Sequence, residues 1–275
     1  DIPGGPKGTI WLADPNDIGH RQAIVHLGDQ EIYHAAVAPE GRQVAFTAAP
    51  WGAPQRPLWI VNIRTGELAQ LLPSADQIQW GRDSRVLAYT VNEGPAGTAL
   101  QVVDIATRES RRLTSVEAGA TLDLLGWSAD NQEIYYIPSP PQGVSEHYLW
   151  AADPDTQTAR QVASLGSQVG WLFLSPDGTK LPYGYGSSEG LPLLDLTEST
   201  TKRVQPPGQG SVTWSPDSKA ILVFAFQDNT LVLKSLDVAT QQSTDIASFQ
   251  NMPLSGWQLL ALSPDRTWLA AYHYY

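Results

Sequence analysis

The chain of 275 residues contains no cysteine and a single methionine. The lack of cysteine excludes disulfide bonds, thiolate metal sites and cysteine nucleophiles. No stretch approaches the roughly eighteen consecutive apolar residues of a membrane-spanning helix, so the sequence predicts no membrane insertion of this segment. Because the first residue is Asp1 rather than methionine, we expect the chain to be a processed or excised product whose signal or anchor lay upstream.

Basic residues are also scarce. Lysine and arginine together number 17 against 28 aspartates and glutamates, which gives a net charge of −11. Binding to nucleic acid or to an anionic membrane needs clustered lysine and arginine, so the charge argues against both partners. What is abundant favours β structure with many turns: 23 glycines, 21 prolines, ten tryptophans and ten tyrosines.

A turn motif recurs six times along the chain. Its clearest copies are Leu-Ser-Pro-Asp-Gly-Thr-Lys-Leu at 174–181 and Trp-Ser-Pro-Asp-Ser-Lys-Ala-Ile at 214–221. Proline sets φ in the turn, aspartate caps the local backbone, and glycine takes the left-handed position of a bulged hairpin. We therefore predict six hairpins whose acidic residues form turns rather than act in catalysis. These residues are Glu40, Asp83, Asp130, Asp177, Asp217 and Asp265.

A second motif alternates with the first and consists of an apolar strand, then Asp or Asn, then a turn that often contains threonine. Its six acidic or amide positions are Asp14, Asn62, Asp104, Asp153, Asp195 and Asp237. Two hairpins make a four-stranded sheet, and radial repetition of such sheets makes a β-propeller. The sequence predicts an all-β, six-bladed propeller of four-stranded antiparallel blades, in one domain spanning 1–275. An N-terminal outer hairpin (10–27) would pair with a C-terminal inner hairpin (256–273), which closes the ring and removes two exposed sheet edges.

The Trp-Ser-Pro-Asp-(Gly/Ser)-Lys pattern near 175–181 and 214–219, with strands of the Leu-Trp-Ile-Val-Asn type, resembles the TolB-type, WD40-like propeller repeat. The resemblance covers nearly the whole chain and implies an extracytoplasmic location, in the periplasm or at the cell surface. The chain lacks the separate α/β domain that precedes the propeller of TolB itself. A TolB role in envelope integrity is therefore not carried over, and neither is any functional residue.

In a propeller the beginning of each inner strand surrounds the mouth of the central channel, which makes the mouth the predicted ligand site. Its predicted residues are Tyr33, His34, Asp76, Gln77, Asp123, Trp171, Gln209 and Trp257. Longer loops on the same face carry Trp51, Arg56, Glu93, Glu146, His147, Tyr185 and Glu189. Aromatic rings mixed with amides and carboxylates suit a peptide or sugar. The alternative is that these residues pack blade against blade or line a water-filled channel.

The remaining motifs favour structure over chemistry. Trp80, Trp127 and Trp214 occupy equivalent repeat positions, so we expect them to wedge between blades, and we expect the same of Trp11, Trp59 and Trp150. Gly-Ser-Ser-Glu-Gly at 186–190 matches a nucleophile elbow, but a predicted strand follows it where that elbow needs a helix. A metal held by His34, Asp76 and Asp123 is an alternative, and the favoured prediction has no metal, no cofactor and no catalytic residue.

The sequence thus predicts a monomeric, non-enzymatic module that recognises a protein, peptide or saccharide. A sialidase-type glycosidase is the main enzyme alternative, but it needs several arginines around the axis, and the predicted inner strands contain none. Those strands are 31–37, 76–80, 121–127, 168–174, 209–214 and 256–262. The third possibility is the propeller domain of a larger peptidase or sensor.

Overall fold

The structure is a computed structural model that describes most of the chain. The described residues are 8–14, 17–139, 146–167, 169–170, 172–184, 190–206, 212–227, 230–249, 257–262 and 269–273. They belong to two compact units, Asp1–Ser164 and Leu165–Tyr275. Among the described residues no helix has the length and apolar character needed to cross a bilayer.

One hairpin and three blades belong to the first unit, apart from the last two residues of blade 3. The hairpin is β1 (Thr9–Asp14) with β2 (Asp17–His26). Blade 1 comprises β3 (Glu31–Val37), β4 (Gln43–Ala49), β5 (Leu58–Asn62) and β6 (Leu68–Leu72). Blade 2 comprises β7 (Ile78–Trp80), β8 (Val86–Asn92), β9 (Thr98–Asp104) and β10 (Ser110–Val116), with a 3₁₀ turn at Gly94–Ala96. Blade 3 comprises β11 (Thr121–Trp127), β12 (Ile134–Ser139), β13 (His147–Asp153) and β14 (Thr158–Gly166).

The second unit contains two more blades and a second hairpin. Blade 4 has three strands, β15 (Lys180–Pro182), β16 (Leu191–Asp195) and β17 (Thr200–Val204). Blade 5 comprises β18 (Val212–Trp214), β19 (Ala220–Gln227), β20 (Thr230–Asp237) and β21 (Ser243–Phe249). The hairpin is β22 (Trp257–Leu262) with β23 (Leu269–His273). Strands within each blade are antiparallel neighbours in chain order, so the all-β propeller is confirmed, with four-stranded antiparallel blades in blades 1, 2, 3 and 5.

The blade count differs from the prediction of six. The described residues form five blades, and the two hairpins are separate two-stranded sheets rather than halves of one sheet. The sixth blade and the closure of the ring are therefore not confirmed.

Blade 4 also departs from the prediction, because no strand forms in the described part of 168–174. Proline supplies the physical reason. Lys180 accepts a hydrogen bond from the Ser175 N–H, 2.8 Å, so Lys180 faces the inner strand. Antiparallel alternation makes Pro182 the next residue to face inward, and proline has no N–H to donate there. A strand in 168–174 would consequently lack the ladder hydrogen bond from position 182.

The tryptophans join neighbouring blades, as predicted. The indole Nε1 of Trp80 donates to the Ala36 carbonyl at 3.0 Å, and that of Trp127 donates to the Gln79 carbonyl at 3.2 Å. In the second unit Trp214 donates to the Phe173 carbonyl at 2.9 Å. Each indole is buried in the apolar core between two blades, and its N–H is paired with a backbone carbonyl at the inner edge of the preceding blade. Trp59 and Trp150 pack against such cores too, and the Trp11 side chain lies outside the described residues.

A second tie links the turns of adjacent blades. Ser84, Asn131 and Ser218 stand where other copies of the turn have glycine, and their φ angles are 58°, 62° and 59°. The side chain of Ser84 accepts from the Glu40 N–H, and that of Asn131 accepts from the Arg82 N–H at 2.7 Å. The Ser218 hydroxyl likewise accepts from the N–H of the Asp177 turn at 3.0 Å. These side chains hold a backbone donor of the preceding blade, which glycine cannot do.

Candidate functional site

The turn aspartates are structural, as predicted. Asp130 accepts from the Ser128 hydroxyl at 2.6 Å and from the Gln132 N–H at 3.1 Å. These two hydrogen bonds, led by that from Ser128, lower the pKa of Asp130 below its ordinary value. The Ser175–Asp177 and Ser215–Asp217 pairs repeat the 2.6 Å contact. Carboxylates held in this way stabilise turns and are not placed for proton transfer.

The aspartates of the second motif are equally occupied. The Oδ1 atoms of Asp104, Asp153 and Asp237 each accept two hydrogen bonds, which come from the backbone N–H groups two and three residues further along the chain. Backbone N–H donors stabilise the charged carboxylate, with the Thr107 N–H making the largest contribution to the lowered pKa of Asp104. Both families of acidic residue thus belong to hairpins.

The inner strands of the first unit bring three predicted site residues to one level. His34 lies opposite Thr47, and Asp123 lies opposite Ile137. Gln77 meets Thr90, the blade 2 counterpart of Thr47 in sequence, because the Thr90 N–H donates to the Gln77 carbonyl at 3.0 Å. His34, Gln77 and Asp123 therefore occupy equivalent ladder positions on three consecutive blades. We call this end of the inner strands, with the β4–β5 loop, the channel face.

Arg56 is the central residue of the channel face. Its guanidinium carbon lies 4.1 Å from the centroid of the Tyr33 ring, and its Nη1 lies 3.4 Å from Oδ1 of Asp76. The loop that carries it is fixed at its backbone, since the Arg56 carbonyl accepts from the Ala75 N–H at 2.9 Å. About a third of each side chain, 36% for Arg56 and 33% for Asp76, remains accessible to solvent. The cation is therefore held in place and still open to a ligand.

Asp76 and Gln77 are both fixed by hydrogen bonds. Oδ2 of Asp76 accepts from the Asn92 N–H at 3.0 Å, which leaves Oδ1 for Arg56. Gln77 Oε1 accepts from the Leu124 N–H at 2.7 Å and so connects the inner strands of blades 2 and 3. The structure thus assigns Gln77 to blade-to-blade packing, the alternative raised for these residues, whereas Asp76 orients Arg56.

The electrostatic environment of His34 reflects this cluster. Burial of part of the ring lowers the pKa of His34, the Arg56 cation lowers it further, and Asp76 opposes the change. The residue as a whole still has substantial solvent exposure. Near neutral pH the ring is therefore a neutral donor and acceptor beside a permanent cation.

Asp123 is half-buried on β11, and no described residue forms a hydrogen bond or ion pair with its carboxylate. Trp171 and Gln209 lie outside the described residues, and so does the side chain of Trp257, although its backbone begins β22. The structure therefore brings Tyr33, His34 and Asp76 together and places Gln77 and Asp123 on the next inner strands. The other three predicted residues are not tested.

The residues of the longer loops differ in whether their side chains have partners. Glu93 forms an ion pair with Arg112, and Glu146 accepts from Tyr148 at 2.7 Å and from Ser164 at 2.5 Å. Trp51, in contrast, is 80% exposed and shares the β4–β5 loop with Arg56. Tyr185 and Glu189 lie outside the described residues.

Arg56 was predicted only as a loop residue, not as part of the site. The signal available in the sequence was its position in the longest predicted loop of blade 1, where aromatic and basic residues stand together. The position of the Arg56 guanidinium over the Tyr33 ring depends on the conformation of that loop, which the repeat pattern does not specify. The predicted inner strands contain no arginine, but the β4–β5 loop supplies Arg56.

The described residues contain no group of three histidine or acidic side chains that could hold a metal. The metal alternative with His34, Asp76 and Asp123 is not supported, because the Asp76 carboxylate is already held by Arg56 and Asn92. The elbow-like segment is followed by strand β16, as predicted, and not by the helix that a nucleophile elbow requires.

No protein-family model and no curated protein sequence matches the chain. Solved structures do. TolB from Acinetobacter baumannii is 16% identical with a TM-score of 0.61; the match covers 88% of this chain and 61% of TolB, so the chain spans about three fifths of that protein's length. An oligogalacturonate lyase from Vibrio parahaemolyticus is 12% identical, with a TM-score of 0.67 over 85% of this chain and 73% of the lyase. A prolyl endopeptidase is 15% identical, with a TM-score of 0.66 over 95% of this chain and 42% of that protein.

Identities this low establish the fold alone, since propellers carry many unrelated functions. With the blade architecture described above, they show that the chain has the fold of a TolB-type β-propeller.

Proposed function

We propose that the chain is a non-enzymatic binding module that recognises a peptide, protein or saccharide at its channel face. The observation that carries the proposal is the Arg56 cation, which lies on the Tyr33 ring and is only weakly paired with Asp76. The exposed Trp51 on the same loop adds apolar contact area. A fixed cation, neutral imidazole and exposed aromatic surface are suited to bind and orient a ligand.

Binding is favoured over catalysis by the state of the acidic residues. In the described residues the hairpin aspartates from Asp83 to Asp237 are held in turns, and Glu93 and Glu146 have partners on their own blades. An enzyme of the glycosidase type would need a pair of carboxylates flanking the substrate, one of them able to hold a proton. Oligogalacturonate lyases share the fold, so an enzyme remains the alternative to be tested directly.

We also propose that the chain is one domain whose ring closes at six blades. Val37 supports this proposal because it occupies the repeat position of the wedging tryptophans. Trp80, Trp127 and Trp214 are only 4–7% exposed, whereas Val37 is 60% exposed. A further inner strand beside β3 would cover Val37 as the other blades cover their tryptophans. The hairpin β22–β23 is that strand pair in our proposal, with β1–β2 as its outer half.

We propose an extracytoplasmic location from the TolB-type resemblance alone. The net charge of −11 supports the proposed lack of a nucleic-acid partner, and we propose that the module is a monomer. The propeller domain of a larger peptidase or sensor is the second candidate, and the observation that favours it is the match to 42% of a prolyl endopeptidase. In that case the channel face would present or admit ligand for another domain.

Arrays of peptides and of saccharides, probed with the labelled protein, test the proposed function. We expect binding that Tyr33→Ala and Trp51→Ala each weaken by tenfold or more, while Arg64→Ala, at an exposed turn between β5 and β6, leaves it unchanged. Binding that is insensitive to the channel-face variants would contradict the site. Incubation with oligogalacturonate and with peptide substrates is the enzymatic arm, and turnover above that of a buffer blank would contradict the non-enzymatic assignment.

A further inference from the structure

We infer that the ligand is a peptide whose free C-terminal carboxylate binds Arg56. This inference rests on the proposed function, since it specifies the ligand of the same face. The peptide would carry a cationic group further from its C-terminus, directed towards Asp123.

The first step is the unused capacity of Arg56. A guanidinium has five N–H donors in one plane. The described residues accept only one hydrogen bond from it, the 3.4 Å contact with Asp76, which is long compared with the 2.7–2.9 Å of a strong charge-assisted pair. Within the part of the chain that the structure describes, four donors are therefore left for a ligand. The planar fork of arginine matches the two oxygens of a carboxylate.

The second step is the orientation of that fork. The guanidinium carbon of Arg56 lies over the Tyr33 ring, 4.1 Å from its centroid, so the ring anchors the cation on one side. Asp76 cannot rotate freely to take up more of them, because its Oδ2 is held by the Asn92 N–H. The Arg56 backbone is fixed as well, through the Ala75 N–H. A cation prepared in this way loses little conformational freedom when it binds an anion.

The third step distinguishes a peptide from an acidic saccharide. The chain has a net charge of −11, and Asp76 and Asp123 lie on the same face as Arg56. A chain of uronates, with a negative charge on every sugar, would be repelled by both aspartates once the first carboxylate had bound. A peptide carries one terminal carboxylate and can place a cationic side chain opposite Asp123, whose carboxylate has no partner among the described residues. Charge complementarity therefore favours the peptide.

A pair of peptide libraries tests the inference. The probes are N-terminally fluorescein-labelled random hexapeptides, made once with a free C-terminal carboxylate and once as the C-terminal amide. We expect the wild-type protein to bind the acid library at least tenfold more tightly than the amide library. Arg56→Gln should abolish this preference and Arg56→Lys should reduce it, whereas Arg64→Gln should leave it intact. Asp123→Asn should remove the enrichment of lysine and arginine among the selected peptides.

The outcomes separate the inference from the proposed function. Equal binding of acid and amide peptides that is still lost in Tyr33→Ala would overturn the carboxylate inference and leave the channel-face function standing. Binding of trimeric galacturonate in preference to every peptide would also overturn the inference. A protein that binds neither class would overturn both. Far-ultraviolet circular dichroism of each variant shows whether it is folded, and Arg56→Lys carries the test if Arg56→Gln does not fold.

Discussion

Replacing Trp80 by phenylalanine should destabilise the propeller measurably, because this tryptophan joins blades 1 and 2. Its side chain is 7% exposed, and its indole N–H is paired with the Ala36 carbonyl. Phenylalanine keeps most of the apolar contact but leaves that carbonyl without its donor. An unpaired buried polar group costs about 1–3 kcal/mol. The smaller ring also leaves a cavity, which adds about 1 kcal/mol.

The expected loss is therefore about 2–4 kcal/mol, which the urea midpoint measures. With a slope of about 3 kcal/mol per molar urea, the midpoint should fall by roughly 1 M. Trp51→Phe is the matched control, since Trp51 is 80% exposed and its replacement should change stability by less than about 0.5 kcal/mol. Circular dichroism is the suitable signal because the chain has ten tryptophans, whose fluorescence would overlap.

The result that would refute this reasoning is a Trp80→Phe variant no less stable than Trp51→Phe. Trp127→Phe should repeat the effect of Trp80→Phe, because its indole makes the equivalent hydrogen bond to Gln79. If only one of the two variants lost stability, the stabilising effect of the indole hydrogen bond would not be a general property of the repeat.

Three further predictions concern turns and charges. Ser84→Ala should cost about 1 kcal/mol in urea unfolding, because the Glu40 N–H loses its acceptor, and an unchanged midpoint would contradict the role of the hydroxyl. Ser84→Gly should cost less than Ser84→Ala, since glycine relieves the positive φ, and equal losses would contradict that effect of the backbone angle. The pKa of Asp130 is lowered in the folded state, so its stabilisation is present above the unfolded pKa of about 3.9 and is lost as pH falls through the folded pKa. Ser128→Ala should then be less stable than wild type at pH 7, with the difference shrinking below pH 4, and a difference independent of pH would count against the assignment. In NMR titrations, Arg56→Gln should raise the pKa of His34, because the cation that lowers it is removed, and Asp76→Asn should lower the pKa, because the anion that raises it is removed. The His34→Gln variant identifies the His34 resonance. An unchanged pKa in both variants would exclude the described cluster.

Much of the fold could be predicted from the sequence because turn chemistry recurs with the blades. Both hairpin motifs have local causes, proline and aspartate in one and an Asx turn in the other, so their positions needed no tertiary information. The wedging tryptophans also followed from repeat position. For the missing inner strand of blade 4 the sequence does contain a signal, since Pro182 stands at a repeat position whose backbone faces the inner strand.

The candidate site was harder to predict for a physical reason. Repeat positions placed Tyr33, His34 and Asp76 at the same end of the inner strands, but they contain no information on side chains that arrive from loops. The β4–β5 loop that carries Arg56 to Tyr33 is held by a hydrogen bond from the Ala75 N–H, in the segment before β7, to the Arg56 carbonyl. The same limitation hid the role of Gln77, whose amide oxygen is taken by the backbone of the next blade.

Cysteine cross-linking tests the closed six-bladed ring most directly, and the chain has no cysteine of its own to interfere. The pairing of Val44 with Val61 in blade 1 defines the equivalent pair in a sixth blade, Leu269 with Ala13. Closure predicts that the Ala13→Cys, Leu269→Cys variant forms an intramolecular disulfide in near-complete yield under mild oxidation, while Ala13→Cys with Ala271→Cys, two residues out of register, does not. Free thiols in the first variant, or cross-links only between molecules, would contradict the closed ring and the channel face that depends on it.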